Sequence, residues 1–369
     1  MYYIIFLLIL ILGFFESVFE RNRIKNVFFY CTAIIFIVIQ AYNSWAPDLE
    51  SYKLQFDFID EAYVRNALEP IHIFLIEIVK NRGGDFEDFI LMYGILIMIP
   101  FLYFIKKSSP TPVFVLSIFY IIPFFPDITQ IRVFLASAIF FISLQFFNKN
   151  KILFYLLYII SVLCHFSLLI MLVFILIRKF SFFKNLKKSN IIILTGAFIL
   201  TSIPKSVASV IVISINPKYG SYLEGTTTYL GTVGLFLPFF LINNFVINHY
   251  NKNKSFIENK VHIKYKKNIP LFMELIMFSN YLLFFQYFIR DFSRITMNLS
   301  ILSYIYISIL LYYGYNEKVK SKIISRFLLK YGVYIWAIIT FYITFLMLNN
   351  GEYMKIIERT FSNNRFYGM

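Results

Sequence analysis

The sequence is short of the groups from which soluble enzymes build their chemistry. It contains no G-x-x-x-x-G-K-[ST], no G-x-G-x-x-G and no H-E-x-x-H, so nucleotide hydrolysis, a dinucleotide fold and a zincin site lack support. Its four histidines, at 72, 165, 249 and 262, lack close metal-ligand spacing, which leaves Asp85 with Glu87 as a weak cation option and otherwise no metal and no cofactor to expect. Cys31 and Cys164 both lie in apolar runs, so no stabilising disulfide is expected and neither thiol looks functional. Only 15% of the 369 residues are charged, and no polar segment is long enough to bury a core of its own. One domain over 1–369 is therefore expected.

What is present is apolar and aromatic: 59% hydrophobic residues, with 46 Phe and 28 Tyr, in several long runs. This predicts an all-α, polytopic integral membrane helical bundle of about 10–12 transmembrane helices. The net charge of +15 does not mark a nucleic-acid binder, because most of the 35 cations fall in six short segments: 21–25, 106–107, 149–151, 178–188, 252–267 and 318–330. That is positive-inside bias. Residues 47–88 are the reverse, with ten acids against four bases, and should face outward. The first apolar segment has no base before it and a basic cluster after it, the pattern of a retained helix with its N-terminus outside.

Taking the basic clusters as cytoplasmic predicts crossings near 2–19, 27–44, 86–105, 111–126, 132–147, 190–213, 231–249, 270–289, 294–314 and 331–348. The 26-residue run Ile152 to Ile177 has bases at both ends. The alternation closes only if this run enters from the cytoplasm and returns, as a re-entrant hairpin with His165 at its apex. The alternative is a single long tilted helix. Residues 70–79, "PIHIFLIEIV", predict a short helix dipping into the outer leaflet. Pro204 and Pro217 break the stretch 201–231, where an interfacial helix is expected. The outward loops are thus about 45–85 and 204–230.

Polar residues from distant parts of the chain converge on the outer boundary: Asp48, Tyr52, Glu69, His72, Arg132, His165, Lys218, Tyr219, Tyr222, Arg290 and Arg294. Ionisable groups at such depth are usually paired or line a cavity. Arg132 opens a crossing, where it is either an interfacial anchor or a ligand. Arg290 and Arg294 are four residues apart, and Asn298 continues that face one turn deeper. Paired guanidinium forks suit a diphosphate. His165 has the chemistry of a general base, with the carboxylates of Asp48 and Glu69 as alternatives, but a lone histidine also bridges membrane helices.

The order of the segments "PDLESY", "EPIHIFLIEIV", "IRVFLASAIFFIS", "CHFSLLI", "NPKYGSY" and "FIRDFSR" resembles the EpsG family of Wzy-like polysaccharide polymerases over nearly the whole chain. The resemblance implies a metal-independent glycosyltransferase at the outer face of a bacterial inner membrane. It would join oligosaccharide repeat units carried on undecaprenyl diphosphate, in O-antigen, capsule or exopolysaccharide synthesis. Donor and acceptor lipids, the bilayer, a flippase and a chain-length regulator are the partners implied, and nucleic acid is not. Arg132, Arg290 and Arg294 would hold diphosphate charge, and His165, Asp48 or Glu69 would take the proton. Tyr52, Lys218, Tyr219, Tyr222 and Asn298 would contact substrate. A lipid-linked oligosaccharide flippase, or a ligase using the same carrier, is the competing reading.

The charge segregation makes a topological prediction. Single cysteines at 181–188 and 252–267 should react only with reagent that reaches the cytoplasmic face, and those at 48–66 and 352–369 with impermeant reagent added outside. External labelling of 181–188 would contradict the hairpin.

Overall fold

The computed structural model describes residues 2–18, 22–44, 46–179, 195, 229–285, 291–314, 322–343 and 352–366. No strand occurs among them, and the chain is an all-α, polytopic membrane protein. Arg23–Ala41, Phe86–Ser108 and Phe292–Tyr313 are long and apolar enough to cross a bilayer. The expected elements at 190–213 and 201–231 lie outside the described residues, apart from Thr195 and 229–231. The described chain groups into two units, residues 1–168 with 308–369, and residues 169–307.

In the first unit the helices are α1 (Tyr2–Val18), α2 (Asn22–Ala41), α3 (Leu49–Asp57), α4 (Ala62–Arg65), α5 (Pro70–Asn81), α6 (Phe86–Ser108), α7 (Pro112–Ile121), α8 (Phe124–Thr129), α9 (Ile131–Leu144) and α10 (Lys151–Cys164), with Lys322–Phe341 and Glu352–Ser362. All ten residues of α7 are buried, as a helix apolar on every side requires. It packs against α1, α2, α6 and Lys322–Phe341. Glu16 of α1, itself fully buried, accepts the backbone N–H of Phe114 at 3.1 Å and so caps the first turn of α7 from a neighbouring helix. Ring contacts tie the helices together. Phe101 of α6 lies 4.6 Å from Phe119 and 5.1 Å from Phe134, and Phe36 of α2 lies 4.7 Å from Phe124.

The expected single crossing at 111–126 is two helices. Ile122 is extended at φ −155°, ψ 124°, because it precedes Pro123, and the chain restarts as α8. The apolar run from Ile152 also fails to form one helix: α10 stops at Cys164, His165 is extended, and a 3₁₀ turn spans Phe166–Leu169 before α11 (Ile170–Lys179). The break falls at His165 without proline or glycine. Instead, the His165 side chain accepts the Ser167 backbone N–H at 3.2 Å, and Tyr158 Oη donates to the Leu168 carbonyl at 3.2 Å.

Asp85 caps α6, its Oδ1 accepting from the N–H groups of Glu87 at 2.8 Å and Asp88 at 2.9 Å. Glu87 pairs with Arg365, so the two carboxylates considered for a cation have helix-cap and ion-pair roles. The same tail segment is tied to the end of α2: the Arg365 N–H donates to the Tyr42 carbonyl at 3.1 Å, and the Phe366 ring packs tilted against that of Tyr42, 5.7 Å between centroids.

In the second unit, buried Asn243 joins three helices. Its Nδ2 donates to Ser279 and to Asn280 Oδ1 at 2.9 Å, and its Oδ1 accepts from Ser303 at 2.8 Å. Arg178 pairs with Glu274, and Phe174 packs 5.5 Å from Phe278.

The crossing of α2 and α6 depends on one missing methyl group. A Cβ on Gly94 would stand 2.5 Å from Ala41 Cα and 2.8 Å from its N, whereas one on Gly332 meets nothing within 4 Å. Gly94→Ala should therefore separate the helices and cost about 1–3 kcal/mol, read as a lower thermal midpoint in detergent. Gly332→Ala is the control and should be neutral or slightly stabilising. Equal midpoints for the two variants would contradict the packing.

Candidate active site

The site is built where α5 and α9 begin and α10 ends. Glu69 immediately precedes Pro70, which holds its backbone extended at φ −75°, ψ 146° and takes the first position of α5. The Glu69 carboxylate makes no capping bond to α5. It turns instead to Arg132, whose Nη1 donates to Oε2 at 2.6 Å. Arg132 lies in the first turn of α9, where a cation opposes the helix dipole. Helix stability therefore does not account for its position. The side chains of Glu69 and Arg132 are 9% and 21% exposed, so the pair is largely out of water.

His165 completes the cluster, with Nε2 at 3.7 Å from Glu69 Oε1, an ion-pair distance and longer than a hydrogen bond. Its Nδ1 accepts the Ser167 N–H and lies 2.7 Å from Ser167 Oγ. A nitrogen that accepts a backbone N–H carries no proton, so the single proton of this imidazole sits on Nε2, facing the carboxylate. In this arrangement His165 is a donor and Glu69 is the acceptor.

Behind the charged groups stands an aromatic and amide layer. Tyr52 of α3 is 5% exposed, and the Arg132 guanidinium carbon lies 5.4 Å from its ring centroid. The ring of His72, fully buried on α5, is 5.9 Å from that of Tyr52. Burial first, and then the positive charge of Arg132, hold the His72 imidazole neutral, well below its usual range. Gln55 donates through Nε2 to Ser51 at 3.1 Å and presents Oε1 to His72 Nε2 at 3.0 Å. The His72 proton is thus on Nε2, and Nδ1 accepts the Tyr93 hydroxyl at 2.7 Å. Tyr93 neighbours Gly94, so the close crossing of α2 and α6 fixes the floor of the site.

One atom stays unsatisfied. Arg132 Nε is buried with no hydrogen-bond partner, a state that costs about 1–3 kcal/mol. An oxyanion reaching Nε would satisfy it with a charge-assisted hydrogen bond.

Glu69, Arg132, His165 and Tyr52 of the expected set are thus brought together. Asp48 stands half-buried just before α3, its carbonyl accepting the Tyr52 N–H at 3.0 Å. Arg294 and Asn298 share a face of Asp291–Leu299 in the second unit, Arg294 half-buried and Asn298 buried. Arg290, Lys218, Tyr219 and Tyr222 lie outside the described residues. The sequence reading placed His72 at the same boundary without giving it a role, and missed Gln55, Tyr93 and Ser167 as supports. His72 and Gln55 had a signal, each lying three residues, about one helical turn, beyond Glu69 and Tyr52. Tyr93 had none.

A family model described as the EpsG family matches residues 26–357. No curated protein and no solved structure matches the chain. The matched span takes in most of α2, α3 to α11, every residue of the cluster and the Asp291–Leu299 helix, and on that coverage the chain belongs to the EpsG family, whose role in polysaccharide biosynthesis is polymerase-like.

Proposed function

We propose that this protein polymerises undecaprenyl-diphosphate-linked oligosaccharide repeat units at the outer face of a bacterial inner membrane. The observation that carries the reading is the buried Arg132–Glu69 pair with His165 beside it, in a multi-pass chain of the EpsG family. In the reaction, an acceptor hydroxyl oxygen attacks the anomeric carbon of the growing glycan. The bond from that carbon to the diphosphate oxygen breaks, and the lipid diphosphate leaves with the electron pair. The hydroxyl proton must go to a protein base. Arg132 supplies charge and a fork of donors to the leaving diphosphate, with Arg290 and Arg294 as further cations. Glu69 takes the proton, and His165 steadies its carboxylate through Nε2–H.

A transporter needs access from both faces, and Glu16 and Glu274, the acids near cytoplasmic ends of the expected crossings, have local partners. Glu16 caps α7, and Glu274 pairs with Arg178. Nothing in those contacts favours a flippase.

Purified protein in proteoliposomes, supplied with lipid-linked repeat units, should give a glycan ladder. Movement of the units across the bilayer without lengthening would instead indicate a flippase. Arg132→Ala should slow the ladder roughly 30-fold to 1000-fold, the cost of losing about 2–4 kcal/mol of leaving-group stabilisation. Arg132→Lys keeps the charge but loses the fork, and should fall nearly as far; a fully active Lys variant would reduce Arg132 to an interfacial anchor. His165→Ala should slow the ladder about 100-fold, and an undiminished ladder from folded His165→Ala protein would return His165 to a helix-bridging role.

A further inference from the structure

We propose that Glu69 is a stand-in anion: it occupies Arg132 in the free protein and is displaced by the diphosphate of the incoming substrate. The inference rests on the reading of Arg132 as a diphosphate ligand and adds that the ligand's place is already taken.

The charges of the cluster point to it. Arg132 is neutralised by Glu69 at 2.6 Å, and His165, with Nδ1 accepting from Ser167, adds no charge. As it stands the cluster has no net attraction for an anion. Arg132 engages the diphosphate only by giving up the carboxylate, which then exchanges one charge-assisted partner for another. Two features of the guanidinium and the carboxylate fit such an exchange. Arg132 Nε is buried and without an acceptor, so Glu69 leaves unused a donor that a phosphate oxygen would take. Glu69 in turn has a second partner waiting, since its Oε1 is 3.7 Å from the proton-bearing Nε2 of His165.

The backbone need not move. Pro70 holds Glu69 extended and no cap bond ties its carboxylate to α5, so rotation of one side chain is enough. Donor binding would then free the carboxylate at the moment when a proton acceptor is needed, and in the empty enzyme Arg132 would keep it occupied. In this role Glu69 controls access to Arg132, and its effect is on binding before it is on turnover.

The test is a double-mutant cycle on the whole protein in detergent, with farnesyl diphosphate as the probe. Glu69→Gln should bind the probe about tenfold more tightly than wild type while its ladder formation falls. In the Arg132→Ala background the same substitution should change affinity by less than about twofold, because nothing remains to compete for. An equal gain in both backgrounds means through-space repulsion only and overturns the proposal, as does unchanged or weaker binding by Glu69→Gln. Glu69→Asp keeps the charge but withdraws it by one methylene, and stands in if Glu69→Gln fails to fold: tighter binding supports the proposal and unchanged or weaker binding overturns it. If Arg132→Ala binds the probe as well as wild type, the diphosphate reading of Arg132 fails and this inference with it. If Arg132→Ala loses the probe while Glu69→Gln gains nothing, only the stand-in role is removed.

Discussion

The contact on which the site depends is the buried pair of Glu69 and Arg132. Removing a carboxylate and a guanidinium from water costs several kcal/mol for each ion, and an apolar pair of similar volume often gives equal or greater stability. A 2.6 Å contact between helix starts therefore asks for a reason beyond cohesion. The surroundings are arranged to keep the two groups in register. Pro70 sets the backbone of Glu69, the Tyr52 ring lies under the guanidinium, and Tyr52 in turn is backed by His72, which Gln55 and Tyr93 hold on both nitrogens. That support reaches the helix crossing at Gly94, where α6, the helix that carries Tyr93, approaches Ala41 of α2 without a Cβ in the way.

The pair also decides what chemistry is available. A diphosphate brings about two or more negative charges, whereas the cluster of Arg132, Glu69 and His165 is neutral. On the proposed reading, a diphosphate meets positive charge at this pair only when Glu69 releases Arg132. The bend at His165 has a matching logic. The imidazole that ends α10 by accepting the Ser167 N–H is, for the same reason, fixed in the tautomer that turns a proton toward Glu69. One hydrogen bond sets both the fold and the acid–base identity of the group.

Much of this was legible in the sequence because lipid leaves few options. Apolar runs and basic clusters located α1, α2, α6, α9 and α10 to within a few residues, the proline after an acid marked the start of α5, and a histidine inside an over-long run marked a break. Arg132 stood out as a cation opening an apolar helix. Other features were not legible. The proline at 123 was absorbed into a predicted crossing, although the residue before a proline resists helical geometry. The amphipathic helix Glu352–Ser362, which buries Ile356, Ile357 and Phe361 and leads into the strap at Arg365, has too little apolar length to register as a span. Above all, Glu69 and Arg132 are 63 residues apart, and no local pattern states that they meet. Spacing identified two isolated ionisable residues at one depth; only tertiary structure makes them partners.

The central claim is that this pair is chemistry and not only a brace between α5 and α9. A charge swap, Glu69→Arg with Arg132→Glu, separates the two directly, because it keeps an ion pair but puts the cation on α5 and the anion on α9. The thermal midpoint in detergent and the rate of glycan-ladder formation in proteoliposomes are measured together for the two single variants and the swap. The swap should recover most of the stability lost in the single variants while the ladder stays absent. A swapped protein that regains both its midpoint and its polymerising rate would show that the pair only holds helices together.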